Sequence, residues 1–126
     1  MDKIKVKTLR TLKTHAEYER HRKSPKFPEC YICSAKAIKT YEKWKVIENE
    51  FPYDEVATRN DMIVPLRHTT EDGLTKEELD EFKEIKKDIN DKYDMITENT
   101  HKRKSIPGHF HLHLLEIRER EMKVDW

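Results

Sequence analysis

A chain of 126 residues is enough for one domain around one modest core. Charged residues make up 40% of it, yet 26 lysines and arginines nearly cancel 25 aspartates and glutamates, which excludes a global basic field for nonspecific nucleic-acid binding. There is no apolar run of about 18 residues to span a membrane and no apolar leader at the N-terminus, and two cysteines without a leader point to a reducing, cytoplasmic setting.

Taken in chain order, Leu9, Leu12 and Ala16 fall at helical spacing and predict a helix over 8–22, closed by Pro25 and Pro28. Residues 1–29 therefore read as an N-terminal helical extension, and 30–126 as the main domain. His15 and His21, within that helix, read as solvated surface residues. Cys30-Tyr31-Ile32-Cys33 comes next. A single C-x-x-C is a zinc half-site, a redox pair or chance. The redox reading wants a βαβ context, which is missing here, and the zinc reading needs two further ligands.

A strand is predicted over 41–49, rich in Trp, Val, Ile and Tyr. Phe51-Pro52-Tyr53-Asp54 reads as a turn. A second strand, over 62–65, should pair antiparallel with the first. The helix over 75–92 carries a capping-box pattern in Thr75 and Glu78, with Leu74 and Leu79 placed as a hydrophobic staple. Leu79, Phe82, Ile85 and Ile89 mark its apolar face. A short strand over 95–99 follows. The loop 101–108 carries Lys102-Arg103-Lys104, which reads first as a solvated face and second as an attractor of polyphosphate or nucleic-acid phosphates. The last strand ends near Ile117, and a charged tail runs to Trp126. This order is an α+β plan with an antiparallel sheet.

The most informative stretch is His109-Phe110-His111-Leu112-His113-Leu114-Leu115. Its period of 2 is a strand signature, and residues i, i+2 and i+4 share a face. Three imidazoles therefore point one way, and Phe110, Leu112 and Leu114 point into a core. A structural reading does not account for three histidines at strict spacing. Two chemical readings compete: metal ligation, and an imidazole that acts as nucleophile or acid–base.

This stretch, His-φ-His-φ-His-φ-φ with φ apolar, resembles the signature of the histidine triad (HIT) superfamily of nucleotide hydrolases and transferases. Met62-Ile63-Val64-Pro65-Leu66-Arg67-His68 resembles that family's strand ending in Pro-x-x-His. Asp72-Gly73-Leu74-Thr75-Lys76-Glu77-Glu78 resembles the loop and helix start after it, and Glu48-Asn49-Glu50-Phe51-Pro52 the end of the preceding strand. The resemblance covers residues 30–117 and implies a HIT-like fold, an antiparallel sheet with the capped helix, here with the extra N-terminal helix.

The resemblance also implies roles. His111 maps to the nucleophile that forms a nucleotidyl-histidine, and His113 to a residue that helps hold phosphate. Asn49 matches a ribose-binding position, Asn99 an amide near the phosphates, and Ser105 a phosphate-binding hydroxyl. Gly108 would let the backbone approach a phosphate. As in many bacterial members, His68 and His109 would complete a structural zinc site with Cys30 and Cys33. The implied activity is hydrolysis or nucleotidyl transfer at the α-phosphate of a nucleotide derivative, of the phosphoramidase or dinucleoside polyphosphate hydrolase kind. The implied partners are a purine mononucleotide derivative and a second copy of the chain, with nucleic acid a weaker class and no membrane. The alternative is a nucleotide-binding or zinc-stabilised adaptor without catalysis.

Overall fold

The computed structural model describes residues 3–23, 30–103, 106 and 108–126. Among these, five strands form one sheet in the order β1-β2-β3-β5-β4. They are β1 (Ala37–Thr40), β2 (Trp44–Glu48), β3 (Ala57–Pro65), β4 (Met95–Thr97) and β5 (Leu112–Ile117). Every pairing is antiparallel. Three α-helices among the described residues accompany the sheet: α1 (Leu12–Arg22), α2 (Tyr31–Ser34) and α3 (Lys76–Lys92). The α+β plan with an antiparallel sheet expected from the sequence is present. No helix among the described residues is long and apolar enough to cross a membrane.

Strand alternation divides the core between the two faces of the sheet. Trp44 and Val46 of β2, Ile63 of β3 and Leu114 of β5 pack with Phe110 against Ile85 and Ile89 of α3. On the opposite face, Ile47, Met62 and Val64 bury Ile32 of α2. Met62 sits opposite His113 in the β3–β5 ladder, so His113 shares that second face. The sheet thus has a structural side under α3 and a chemical side under α2.

α3 starts where its cap demands. Thr75 Oγ1 accepts from Glu78 N at 3.1 Å, and Glu78 Oε1 accepts from Thr75 N at 2.8 Å. Trp44 Nε1 donates to Glu78 O, which ties the first turn of α3 to β2. Leu79 is 46% exposed and does not belong to the buried face of the helix as expected. Position 79 looks outward because buried Glu78 takes the inward position, held by Arg67 at 2.7 Å.

Three other expectations shift. The strand expected over 41–49 is the shorter β2, preceded by the unexpected edge strand β1 across a tight turn, where Tyr41 N donates to Trp44 O at 2.7 Å. β3 begins at Ala57 rather than at position 62. β5 begins only at Leu112, and the residues before it are anchored elsewhere, with Phe110 N donating to Thr69 O at 2.7 Å. α1 also docks by a different face. Leu9 and Leu12 stay 49% and 72% exposed, while Thr14 Oγ1 donates to Asp54 Oδ2 at 2.6 Å and Thr11 N to Asp54 Oδ1 at 2.8 Å. Hydrogen bonding, not an apolar stripe, places this helix.

Candidate functional site

The three histidines of the 109–113 run separate into two neighbouring groups. His109 turns to the cysteines. Cys30 caps α2, Cys33 lies within it, and buried Ile32 pins that short helix to the sheet. Cys33 Sγ lies 3.2 Å from His68 Nδ1 and 3.4 Å from His109 Nδ1, and Cys30 Sγ lies 3.6 Å from His109 Nδ1. One donor atom from each of the four falls within 4.8 Å of the others. A tetrahedral ion with sulfur at about 2.3 Å and nitrogen at about 2.0 Å sets its S···N edges at roughly 3.5 Å. The three separations bracket that value, so the cluster has the size a metal ion needs.

The orientation of His109 fits as well. Its Nε2 donates to Pro65 O at 2.9 Å, which fixes the tautomer and turns the Nδ1 lone pair to the sulfurs. Burial, opposed by that backbone bond, lowers the imidazole's pKa and keeps the ring in the neutral form a metal requires. The four residues can therefore bind a metal ion. Gly108 belongs to this neighbourhood: a Cβ there would stand 3.4 Å from His68 Nε2.

His111 and His113 face a separate pocket, which Asn49, Glu50, Phe51, Tyr53, Met62 and Ile106 also line. His111 Nδ1 donates to His109 O at 2.9 Å, which puts the ring's lone pair on Nε2. The His111 and His113 rings stand 5.6 Å apart, nearly perpendicular. His113 is 3% exposed and enclosed by neutral groups. Asn60 Nδ2 donates to its Nδ1 at 3.3 Å, and its Nε2 donates to Tyr53 Oη at 3.3 Å, with the Tyr53 ring stacked on it at 4.6 Å. Burial first, then His111 and Arg10, pushes His113 down to about 3. It is a neutral prop, not a cation, at neutral pH.

Asn49 lines the pocket, with its amide shared locally: Nδ2 donates to Asn60 Oδ1 at 3.0 Å, and Oδ1 accepts from Phe51 N at 3.1 Å. Asn99 Nδ2 donates to Tyr53 Oη at 2.6 Å, so it reaches His113 through that hydroxyl. Ser105 lies outside the described residues, as does Lys104 of the basic run.

The N-terminal segment supplies what the sequence did not reveal. Arg10, Tyr18 and His21 all line the triad pocket. Arg10 Nε donates to Phe51 O at 2.6 Å, its guanidinium lies 4.2 Å from the Tyr18 ring, and His21 packs 5.1 Å from the Phe51 ring. His21 is thus half-buried in the site, not a solvated surface residue, because the Asp54 bonds lay α1 across the loop after β2. This arm leaves only about 50 Å³ in the triad pocket, whereas about 940 Å³ lies in the groove beside it. A nucleotide needs a pocket of at least roughly 300 Å³, more than the triad pocket offers by itself. No motif marks Arg10, Tyr53 or Asn60, and the single hint was the Phe51-Pro52-Tyr53 turn.

No family model and no curated protein matches the sequence. Solved structures do match the fold. A HIT family hydrolase from Clostridium thermocellum aligns with a TM-score of 0.56 at 17% identity, over 76% of this chain and 96% of that one. A histidine triad protein from Clostridium difficile aligns with a TM-score of 0.53 at 16% identity, over 77% of this chain and 96% of that one. The chain has the fold of these proteins, and about a quarter of its length lies outside the alignment.

Proposed function

We propose that this chain is a histidine triad hydrolase or nucleotidyl transferase that acts at the α-phosphate of a nucleotide derivative through His111. The observation that carries the reading is the bond from His111 Nδ1 to His109 O at 2.9 Å, on a fold shared with histidine triad proteins. It orients the ring so that Nε2 is the nitrogen proposed to attack. Attack on the α-phosphorus forms a P–N bond and breaks the bond to the leaving group, which takes the electron pair. Positive charge develops on the His111 ring, and the Nδ1–H bond to the His109 carbonyl strengthens to meet it. Water then attacks phosphorus, the P–N electrons return to Nε2, and the water's protons pass to the nucleoside monophosphate and the leaving group. A different acceptor in place of water makes the same step a transfer.

His113 holds this geometry from below, with Tyr53 and Asn60 fixing its tautomer. Asn49, just after β2, would meet the ribose, and Asn99 the phosphate side. A purine nucleotide is the proposed substrate class, and a homodimer in a reducing cytoplasm the proposed setting. Cys30, Cys33, His68 and His109 would hold zinc, whose preference for two thiolates and two imidazoles in a closed tetrahedron makes the site structural. It would secure the His109 carbonyl, against which His111 is set.

Intact-mass measurement after mixing with adenosine and guanosine phosphoramidates tests the reading. The wild type should gain a nucleotidyl adduct, and His111→Ala should gain none while melting at a similar temperature. An adduct that survives in His111→Ala would overturn the assignment. Nucleotide binding with no adduct in the wild type would favour the non-catalytic alternative.

A further inference from the structure

Among the described residues that line the triad pocket, Arg10 is the only lysine or arginine. The pocket's one carboxylate there is Glu50, and no ion pair joins Arg10 to it or to any other carboxylate among the described residues. Arg10 Nε is spent on Phe51 O at 2.6 Å, and neither Nη nitrogen has a hydrogen-bond partner among the described residues. The backbone on both sides of Arg10 is anchored to the loop after β2. Glu55 N donates to Leu9 O at 3.1 Å, and Thr11 N donates to Asp54 Oδ1 at 2.8 Å. The guanidinium lies over two aromatic rings, 4.2 Å from the centroid of Tyr18 and 5.0 Å from that of Tyr53. Tyr53 in turn stacks on His113 at 4.6 Å, so it links the cation to the triad.

A half-buried guanidinium without a counter-ion is matched by an anion brought to it. The triad has use for one. His113 is a neutral prop, and Asn49, Asn60, Asn99 and Tyr53 around it are uncharged. A phosphate at His111 carries negative charge on its nonbridging oxygens, and a guanidinium holds such oxygens by charge-assisted bonds, often two in parallel. Arg10 lines both the triad pocket and the adjoining groove, so it stands where a ligand spanning the two would pass.

We propose that Arg10 is a catalytic residue, delivered by the N-terminal arm, whose Nη groups bind the nonbridging oxygens of the substrate's α-phosphate. This role rests on the triad reading above and adds a cation to it. As His111 Nε2 forms the P–N bond, the bond from phosphorus to the leaving group breaks with its electron pair on the leaving group. Arg10 gives up no proton in that step. It holds the nonbridging oxygens in place and offsets the negative charge they carry through the transition state. The N-terminal arm is then part of the active site and not only a cover.

Calorimetry of the full chain with AMP and with adenosine, and intact-mass kinetics with adenosine phosphoramidate, test this role. The wild type should bind AMP more tightly than adenosine, and Arg10→Ala should lose about tenfold or more of that preference. Adduct formation at saturating phosphoramidate should slow about a hundredfold in Arg10→Ala. Guanidinium chloride at non-denaturing concentration should restore part of that rate where sodium chloride and urea do not, a response that a merely structural arginine would not give. Arg10→Lys keeps a cation on the arm, and should keep most of the AMP preference with an intermediate rate. An equal AMP preference in wild type and Arg10→Ala, or no binding of AMP by the wild type at millimolar concentration, overturns the proposal. So does an adduct rate that is untouched by Arg10→Ala, or one that falls and is recovered neither by guanidinium nor by Arg10→Lys. His111→Ala reports the triad reading separately, since it should keep the preference for AMP while forming no adduct. An Arg10-dependent preference in a wild type that forms no adduct sinks the triad reading, and the catalytic role of Arg10 with it.

Discussion

Among single residues, His113 shows how environment overrides sequence pattern. It alternates with His111 as a matching member of the run, yet its partners are Asn60 Nδ2, Tyr53 Oη and a stacked ring, all neutral. Burial lowers it from an ordinary 6.5 to about 3. An unfolded chain therefore takes up a proton near pH 6.5 that the folded chain refuses until about pH 3. Stability is full above that window and falls with pH inside it. Melting curves between pH 7 and pH 4 should show a declining melting temperature, and His113→Gln should flatten part of the decline. An identical slope in the variant would mean that His113 does not carry this linkage. Glu78 moves in the acid direction, lowered to about 2 mainly by its Arg67 bond and opposed by burial. Its contribution is present above its ordinary 4.5 and is lost as pH falls toward 2, so it overlaps the histidine only below 4.5.

At the scale of elements, the sequence was most legible where periodicity and capping agreed. The helix over 75–92 was readable because Thr75, Glu78, Phe82, Ile85 and Ile89 all support the same register. Thr75→Ala should destabilise the fold by about 1 kcal/mol, by leaving Glu78 N without its side-chain acceptor, and chemical denaturation measures it. The Cys/His set was readable only as an implication of the resemblance, since spacing alone did not bring positions 30, 33, 68 and 109 together. β1 was not legible: it is a mostly exposed edge strand, with no turn residues of the usual kind before β2. The docking of α1 was not legible either. Its anchor, Asp54, lies far away in the chain, and its exposed Leu9 and Leu12 suggest the wrong face. Asp54→Ala removes the acceptor for Thr11 and Thr14, and should loosen the arm over the triad pocket. Nucleotide should then bind faster in stopped-flow mixing, and an unchanged association rate would show that the arm does not limit entry.

For the molecule as a whole, the four-residue cluster joins three separated stretches of chain. Cys30 and Cys33 come from α2, His68 follows β3, and His109 precedes β5. A metal held there closes long loops and binds the folded chain far better than the unfolded one, so its binding energy adds to folding stability. At free metal of about a hundredfold over its dissociation constant the gain is about 2.7 kcal/mol. For a domain of this size that is a shift on the order of 10 °C in melting temperature. A strong chelator should lower the melting temperature by such an amount, and Cys30→Ser should reproduce most of the effect in untreated protein. Chemistry should suffer less at 25 °C. His111 is set by the backbone carbonyl of His109, and Phe110 N is tied to Thr69 O by a backbone bond that uses none of the four cluster side chains. The wild type after chelation should therefore still form the nucleotidyl adduct well below its lowered melting temperature. Metal analysis of protein never exposed to chelator decides the matter: zinc near one per chain fits the cluster, and a content near zero assigns Cys30 and Cys33 to some other purpose.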